Sequence, residues 1–288
     1  MSTTADAYVA CEEITRTQAR NFYYGIRLLP AEKRSVLCAV YALARRVDDI
    51  GDGDLPVQAK REALHALRAA VERGDAADPV ISAVHDGARR FPIPLGAFGE
   101  LVDGMEMDVL MDSEGRRYRS FEELVTYCRC VAGSIGRLCL GVFGSRPDPQ
   151  AAHYADSLGI ALQQTNILRD IREDLLNGRV YLPQEDLDRF GVALEIDARG
   201  RLADPDGRLG DLIRAAAARA DSWYATGLRL VPLLDHRSAA SARAMAGIYR
   251  RLLDQMAGTP ELVYDRRLSL SGWQKAGVAA RALSGLGA

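Results

Sequence analysis

Apolar residues recur every three or four positions along most of this 288-residue chain, while the alternating runs of a half-buried strand are nearly absent. That period belongs to helices that bury one face, and it commits the chain to an all-α fold. Between Ala31 and Gly51 it is set by Val36, Val40, Leu43 and Val47. Pro30 opens this segment, and Gly51 and Gly53 close it. Further helices are expected over residues 56–73, 79–90, 94–111, 121–143, 148–177, 209–234, 238–256 and 270–283. Pro232 can end the sixth of these early. The polar stretch 192–207, with its glycines and proline, reads as a loop. No repeat of 20–50 residues and no low-complexity tract breaks the pattern. The expected architecture is a single all-helical domain over residues 1–288, a bundle around a central hydrophobic cavity.

Composition excludes several classes of partner. Hydrophobic residues make up 48 % of the chain and charged residues 26 %, which is globular rather than disordered. The 37 basic and 39 acidic side chains leave a net charge of −2, so no uniform field attracts nucleic acid. The first ten residues lack a basic start and an apolar run, and no stretch of 18 apolar residues occurs, so neither a signal peptide nor a transmembrane span is expected. The expected location is the cytoplasm, with peripheral contact at the inner face of a membrane left open. Cys11, Cys38, Cys128, Cys130 and Cys139 are odd in number, form no C-x-x-C pair and have no neighbouring histidines. They read as reduced, buried small hydrophobes.

Three constellations carry chemistry. In the first, Asp48 and Asp52 lie four apart on one helix face, with Tyr41 and Arg45 one to two turns earlier. Two such carboxylates repel unless a cation lies between them, and Mg²⁺ accepts oxygen ligands while keeping waters and phosphate oxygens in its shell. Arg45 is suited to phosphate. A solvated acidic helix end has the same appearance. In the second, Gln163, Asn166, Asp170 and Asp174 fall on one face of a helix whose preceding segment, Leu158 to Leu162, is apolar. A polar stripe entering an interior is costly unless something satisfies it, and a metal–diphosphate cluster does. The bland alternative is a surface face on which Arg169 and Arg172 pair with Glu173 and Asp174. Facing each other, two such stripes could grip a Mg²⁺–diphosphate centre, ionise a C–O bond and leave an allylic cation in a dry interior. The third is Tyr127 followed by Ala132, Gly133, Ser134 and Gly136, small residues that serve either close helix packing or space for a ligand chain.

These segments resemble those of the squalene/phytoene synthase family: Asp48-Asp49-Ile50-Gly51-Asp52, Tyr127 with Val131-Ala132-Gly133, Asn166 to Asp174, and Gly178-Arg179-Val180-Tyr181-Leu182-Pro183. The likeness runs from about Phe22 to Arg267. It implies an all-α isoprenoid synthase fold and a prenyl transferase that joins two isoprenoid diphosphates head to head. By position it implies Mg²⁺, three ions with diphosphate, on Asp48, Asp52, Asn166, Asp170 and Asp174. It implies diphosphate contacts from Arg45, Arg169, Arg179 and Arg267, with Tyr41, Gln163 and Tyr249 near the reacting groups. Substrate contacts extend to Asn21, Phe22, Tyr127, Val131 and Ala132. Many members carry serines just before the first phenylalanine; here the residues are Ala19-Arg20-Asn21-Phe22, so the serine role does not carry over, though Asn21 can still donate hydrogen bonds.

Within the family, Asn21 to Pro30 together with Arg46-Val47-Asp48-Asp49-Ile50 is most similar to bacterial presqualene diphosphate synthases of hopanoid pathways. That implies two farnesyl diphosphates as substrates, no NADPH, and contact with downstream isoprenoid enzymes. The alternatives are a phytoene synthase, which joins two geranylgeranyl diphosphates, and an NADPH-dependent squalene synthase. From another class, a catalytically silent helical lipid-binding protein could use the same cavity, though two aligned acidic stripes would serve it no purpose.

Overall fold

The computed structural model of the chain describes residues 4–19 and 21–285. Arg20, part of the departure from the family's serines, lies outside them. Among the described residues the regular structure is helical, joined by turns and loops, with an isolated antiparallel bridge between Ile196 and Leu202 in the expected loop. No described helix is long and apolar enough to cross a membrane.

The helices are α1 (Thr4–Gln18), α2 (Phe22–Ile26), α3 (Ala31–Asp52), α4 (Val57–Arg73), α5 (Pro79–Arg90), α6 (Ala97–Glu114), α7 (Phe121–Cys128), α8 (Ser134–Phe143), α9 (Ala151–Leu176), α10 (Gln184–Phe190), α11 (Arg208–Gly227), α12 (His236–Gly258) and α13 (Gly272–Leu283). Local chemistry fixes many of their ends. Asp78 accepts from the backbone N–H groups of Val80 and Ile81, Asp235 does so for Arg237 and Ser238, and Ser271 with Gln274 forms a capping box. Gly74 ends α4 at φ +69°, a conformation other residues rarely adopt.

Three expected helices differ in detail. The segment 121–143 is not one α-helix, because a π-turn at Arg129–Gly133 joins α7 to α8. Such wide turns inside helices concentrate at functional sites. The segment 209–234 ends its α-helical part at Gly227 and continues as a 3₁₀ turn, Leu228–Leu233, that contains Pro232. Residues 94–96 precede α6 rather than belonging to it. Helices α1, α2 and α10 had no sequence expectation. Of the five free cysteines, Cys11, Cys38, Cys128 and Cys130 are buried as expected, while Cys139 is half-buried.

Two apolar clusters hold the bundle. Leu43, Val84, Leu101 and Leu138 belong to one, built on α3, α5, α6 and α8. Leu168, Ile213, Tyr224 and Ile248 belong to the other, built on α9, α11 and α12. Helix α9 runs through the interior against α8, α11, α12 and the π-turn. Its approach is close where glycines permit it. A Cβ on Gly136 would stand 2.3 Å from the Ala155 carbonyl oxygen, and one on Gly159 would stand 2.2 Å from that of Ala132. A Cβ on Gly133 would meet the Asp156 carboxylate at 2.9 Å. Of the two readings the sequence leaves open for the small residues after Tyr127, close helix packing applies at Gly133 and Gly136, while Ala132 and Gly136 also line the cavity described below.

Candidate active site

Between α3, α6, the π-turn, α8 and α9 lies a cavity of about 460 Å³. Its wall changes character along its length. Ile26, Leu37, Val40, Ile135, Phe143 and Met245 line an apolar part, while Asp48, Asp52, Asp170 and Asp174 mark a charged end. Helical spacing explains the convergence. Asp48 and Asp52 project from the last turns of α3, and Asn166, Asp170 and Asp174 form one stripe along α9. Tyr41, Arg45, Phe22, Tyr127, Val131, Ala132, Gln163, Arg169, Arg179 and Arg267 also reach this cavity.

Two expected residues do not line it. Asn21 stands at the start of α2 with no side-chain capping bond. Tyr249 is buried behind the wall, its ring 5.6 Å from that of Phe22 and its hydroxyl beside the Arg169 guanidinium. Tyr249 thus contacts two residues of the cavity wall, Phe22 and Arg169.

The arginines are engaged with the carboxylates. Arg169 donates to both oxygens of Asp170 at 2.7 and 2.6 Å, and Arg267 donates to the same two at 2.7 and 2.9 Å. Arg179 donates to Asp112 at 2.6 and 2.7 Å and to Asp52 at 3.1 Å, so it ties the ends of α3 and α6 together. Arg45 pairs with Asp49 at 2.6 Å. Of the pairings that the surface-face alternative required, Arg172 with Glu173 is present at 3.5 Å, but Arg169 turns inward to the cavity and holds Asp170.

Burial without enough compensating cation leaves the carboxylates strained. It pushes Asp48 up to about 7, opposed by Arg45 and assisted by Asp52. It pushes Asp174 up to about 7, assisted by Asp170. Burial draws the Arg169 guanidinium down, and its bond and charge contact with Asp170 more than reverse this. The bond to Asp112 raises Arg179. Crowded, partly dehydrated acids of this kind favour a proton or a cation.

The donor set suits a hard divalent ion. Asn166 Oδ1 is buried with no hydrogen-bond partner, on the same stripe as Asp170 and Asp174. The side chains there that can ligate a metal, Asp48, Asp52, Asn166, Asp170 and Asp174, offer oxygens, as Mg²⁺ prefers. Among the described residues no three of His, Cys, Asp and Glu converge into a ready-made metal centre. An ion held here would complete its shell with water and ligand oxygens.

Sequence reading missed Asp108 and Tyr181. Asp108 lies on α6, 5 % exposed, and accepts hydrogen bonds from Tyr127 at 2.9 Å and Tyr181 at 2.8 Å. All three line the cavity. The signal available was the i, i+4 pair of Asp108 and Asp112 on a helix whose neighbouring positions Met105, Val109 and Met111 are apolar.

An all-α bundle with acidic stripes on two helices facing one deep apolar cavity is the arrangement of isoprenoid synthase-type folds, and comparison with known proteins agrees. The squalene/phytoene synthase family model matches residues 15–274, and the chain belongs to that family. It is 56 % identical over 285 residues to a phytoene synthase of Mycobacterium tuberculosis, covering 99 % of this chain and 93 % of that one. It is 32 % identical to a 15-cis-phytoene synthase of Synechococcus elongatus, covering 96 % and 92 %. Among solved structures, a dehydrosqualene synthase in complex with a ligand superposes with a TM-score of 0.86 at 28 % identity, covering 98 % and 97 %. The squalene synthase HpnC of Alicyclobacillus acidocaldarius gives 0.77 at 29 % identity, covering 88 % and 94 %. The chain is thus an isoprenyl transferase that uses prenyl diphosphates.

Proposed function

We propose that the chain joins two geranylgeranyl diphosphates head to head to give phytoene, the second of the family readings made from sequence. The observation that carries this is the 56 % identity, over nearly the whole chain, to a protein named phytoene synthase. The first reading, two farnesyl diphosphates to presqualene diphosphate, keeps one specific support in the likeness to HpnC at roughly half that identity, 29 %. Neither product requires NADPH.

In this reading Asp48 and Asp52 from α3, with Asn166, Asp170 and Asp174 from α9, hold Mg²⁺ together with substrate diphosphate. The bound ions supply the charge that favours departure of pyrophosphate. Arg45, Arg169, Arg179 and Arg267 are forked donors within the same end of the cavity, and each now holds a carboxylate. Diphosphate entering this end offers them a stronger acceptor. Phe22, Val131, Ala132 and Gln163 line the wall along which the isoprenoid chains lie, and exclusion of water by that wall protects an allylic cation.

The test is competition. The purified protein is given equal farnesyl and geranylgeranyl diphosphate with Mg²⁺, with and without NADPH, and products are identified by mass. Phytoene in both conditions is expected. Presqualene diphosphate as the main product would transfer the assignment to the first reading, and squalene formed only with NADPH would overturn both.

A further inference from the structure

Four charged side chains meet at the π-turn, and none of them lines the cavity. Glu100 on α6 accepts from Arg129, the first residue of the turn, at 2.9 Å. It also accepts from both terminal nitrogens of Arg137 on α8, each at 2.7 Å. Arg137 Nε donates to Asp156 on α9 at 2.7 Å. The bond from Arg137 holds the Glu100 carboxyl below its usual range, so Glu100 is charged at neutral pH. Helix geometry ties this network to the register of the turn. Arg129 and Arg137 are eight residues apart. In a regular α-helix, at about 100° per residue, that spacing points them roughly 80° apart. A π-turn takes in one extra residue, so eight residues span the rotation of seven and the two side chains point within roughly 20° of each other. In that register both guanidinium groups reach one carboxylate.

We infer that Glu100 is a positioning residue that locks the π-turn in this register by holding Arg129 and Arg137 together, and that the register sets which isoprenoid chain the cavity accepts. The inference rests on the reading that the cavity couples prenyl diphosphates, whichever chain length it prefers. Without the extra residue in the turn, α8 would rotate by about 100° relative to α7. Ile135, Cys139 and Phe143, which line the cavity from α8, would then leave its wall. The turn itself has little room to shift independently. A Cβ on Gly104 of α6 would stand 2.5 Å from Val131 Cγ1, and one on Gly159 of α9 would stand 2.7 Å from the Gly133 nitrogen. An ordinary surface ion pair adds a little stability and nothing more. A register lock acts on the shape of the wall as well, and that difference can be measured.

The test is Glu100→Gln, which keeps the size of the side chain and removes its charge, with Glu106→Gln as a reference. Glu106 lies on the same helix, pairs with His65 of α4 at 2.7 Å and does not line the cavity. The readout is the ratio of kcat/KM for geranylgeranyl over farnesyl diphosphate with Mg²⁺, taken alongside thermal melting. Glu100→Gln should move that ratio on the order of tenfold, as a changed apolar wall does for chains that differ in length. Glu106→Gln should leave it where it is. Arg129→Gln, which removes the more exposed limb of the network, should shift it in the same direction by less. If Glu100→Gln fails to fold, Arg129→Gln decides the matter. Hydrogen exchange over residues 129–137 gives a second reading, and in Glu100→Gln these amides should exchange on the order of tenfold faster. A ratio unchanged in both Glu100→Gln and Arg129→Gln, or moved equally by Glu106→Gln, would overturn the inference. If the parent protein converts neither diphosphate, the reaction assignment has failed, and unchanged exchange in Glu100→Gln would then overturn the lock on its own.

Discussion

The cost of gathering acids at the charged end falls on single residues. Asp48 and Asp174 are each pushed up to about 7 and Asp108 to about 6, in every case chiefly by burial. A raised carboxyl means that the folded state binds more protons than the unfolded state between about pH 4 and pH 7. Stability of the metal-free protein should therefore fall as pH rises through that window. Asp235, held down to about 2 with help from Lys33 and the Ser238 backbone, acts in the opposite sense and only below about pH 4. Melting curves in EDTA from pH 4.5 to 7.5 check this, and Asp48→Asn should flatten the slope. Mg²⁺ with pyrophosphate should raise the melting temperature more at pH 7.5 than at pH 5. Equal shifts at both would mean that the acids do not hold the ion. For catalysis, Asp48→Asn and Asp170→Asn should each cut turnover on the order of 100-fold while the fold survives. Steady-state kinetics with circular dichroism decide it. The acids on α3 and α9 were legible because a four-residue spacing announces a shared face within one helix. Asp108 was not, since its partners Tyr127 and Tyr181 come from other segments, and its four-residue spacing to Asp112 on α6 does not reveal them.

Helices were legible wherever amphipathic period and a proline or glycine boundary coincided, as in α3, α4 and α5. The π-turn escaped because its residues, Arg129–Gly133, continue the period of a helix on both sides. Close packing escaped for a different reason: a glycine reports that a side chain is absent, not what comes near. Gly136 and Gly159 turn out to meet backbone of the opposing helix. Gly136→Ala and Gly159→Ala should therefore each lose on the order of 1–3 kcal/mol by overpacking. Gly96→Ala is the control, because a Cβ there meets nothing within 4 Å. Chemical denaturation of the three variants is the measurement, and equal midpoints would remove the packing account. Ala132 lines the cavity as Gly136 and Gly159 do, but it already carries a Cβ, and its carbonyl faces Gly159. Ala132→Phe should impair turnover far more than it lowers the melting temperature. Full turnover at low temperature in an early-melting variant would mark Ala132 as packing alone.

At the scale of the molecule, fold and chemistry have one cause. A long helix, α9, crosses the interior carrying a polar stripe, and the bundle tolerates it because the stripe ends in a cavity that α3 faces with acids of its own. The apolar remainder of that cavity is where two isoprenoid chains would lie. All-α class, the facing stripes and the family were readable from residue order. Chain length was not, because cavity depth depends on side chains from α2, α3, α8 and α12 that no motif connects, Ile26, Leu37, Phe143 and Met245 among them. The most direct test of the whole account is the amount of pyrophosphate released per molecule of C40 hydrocarbon formed from geranylgeranyl diphosphate. Head-to-head coupling to phytoene predicts two pyrophosphates for each hydrocarbon, and neither product in EDTA. Pyrophosphate released without the hydrocarbon, or a yield indifferent to EDTA, would contradict it.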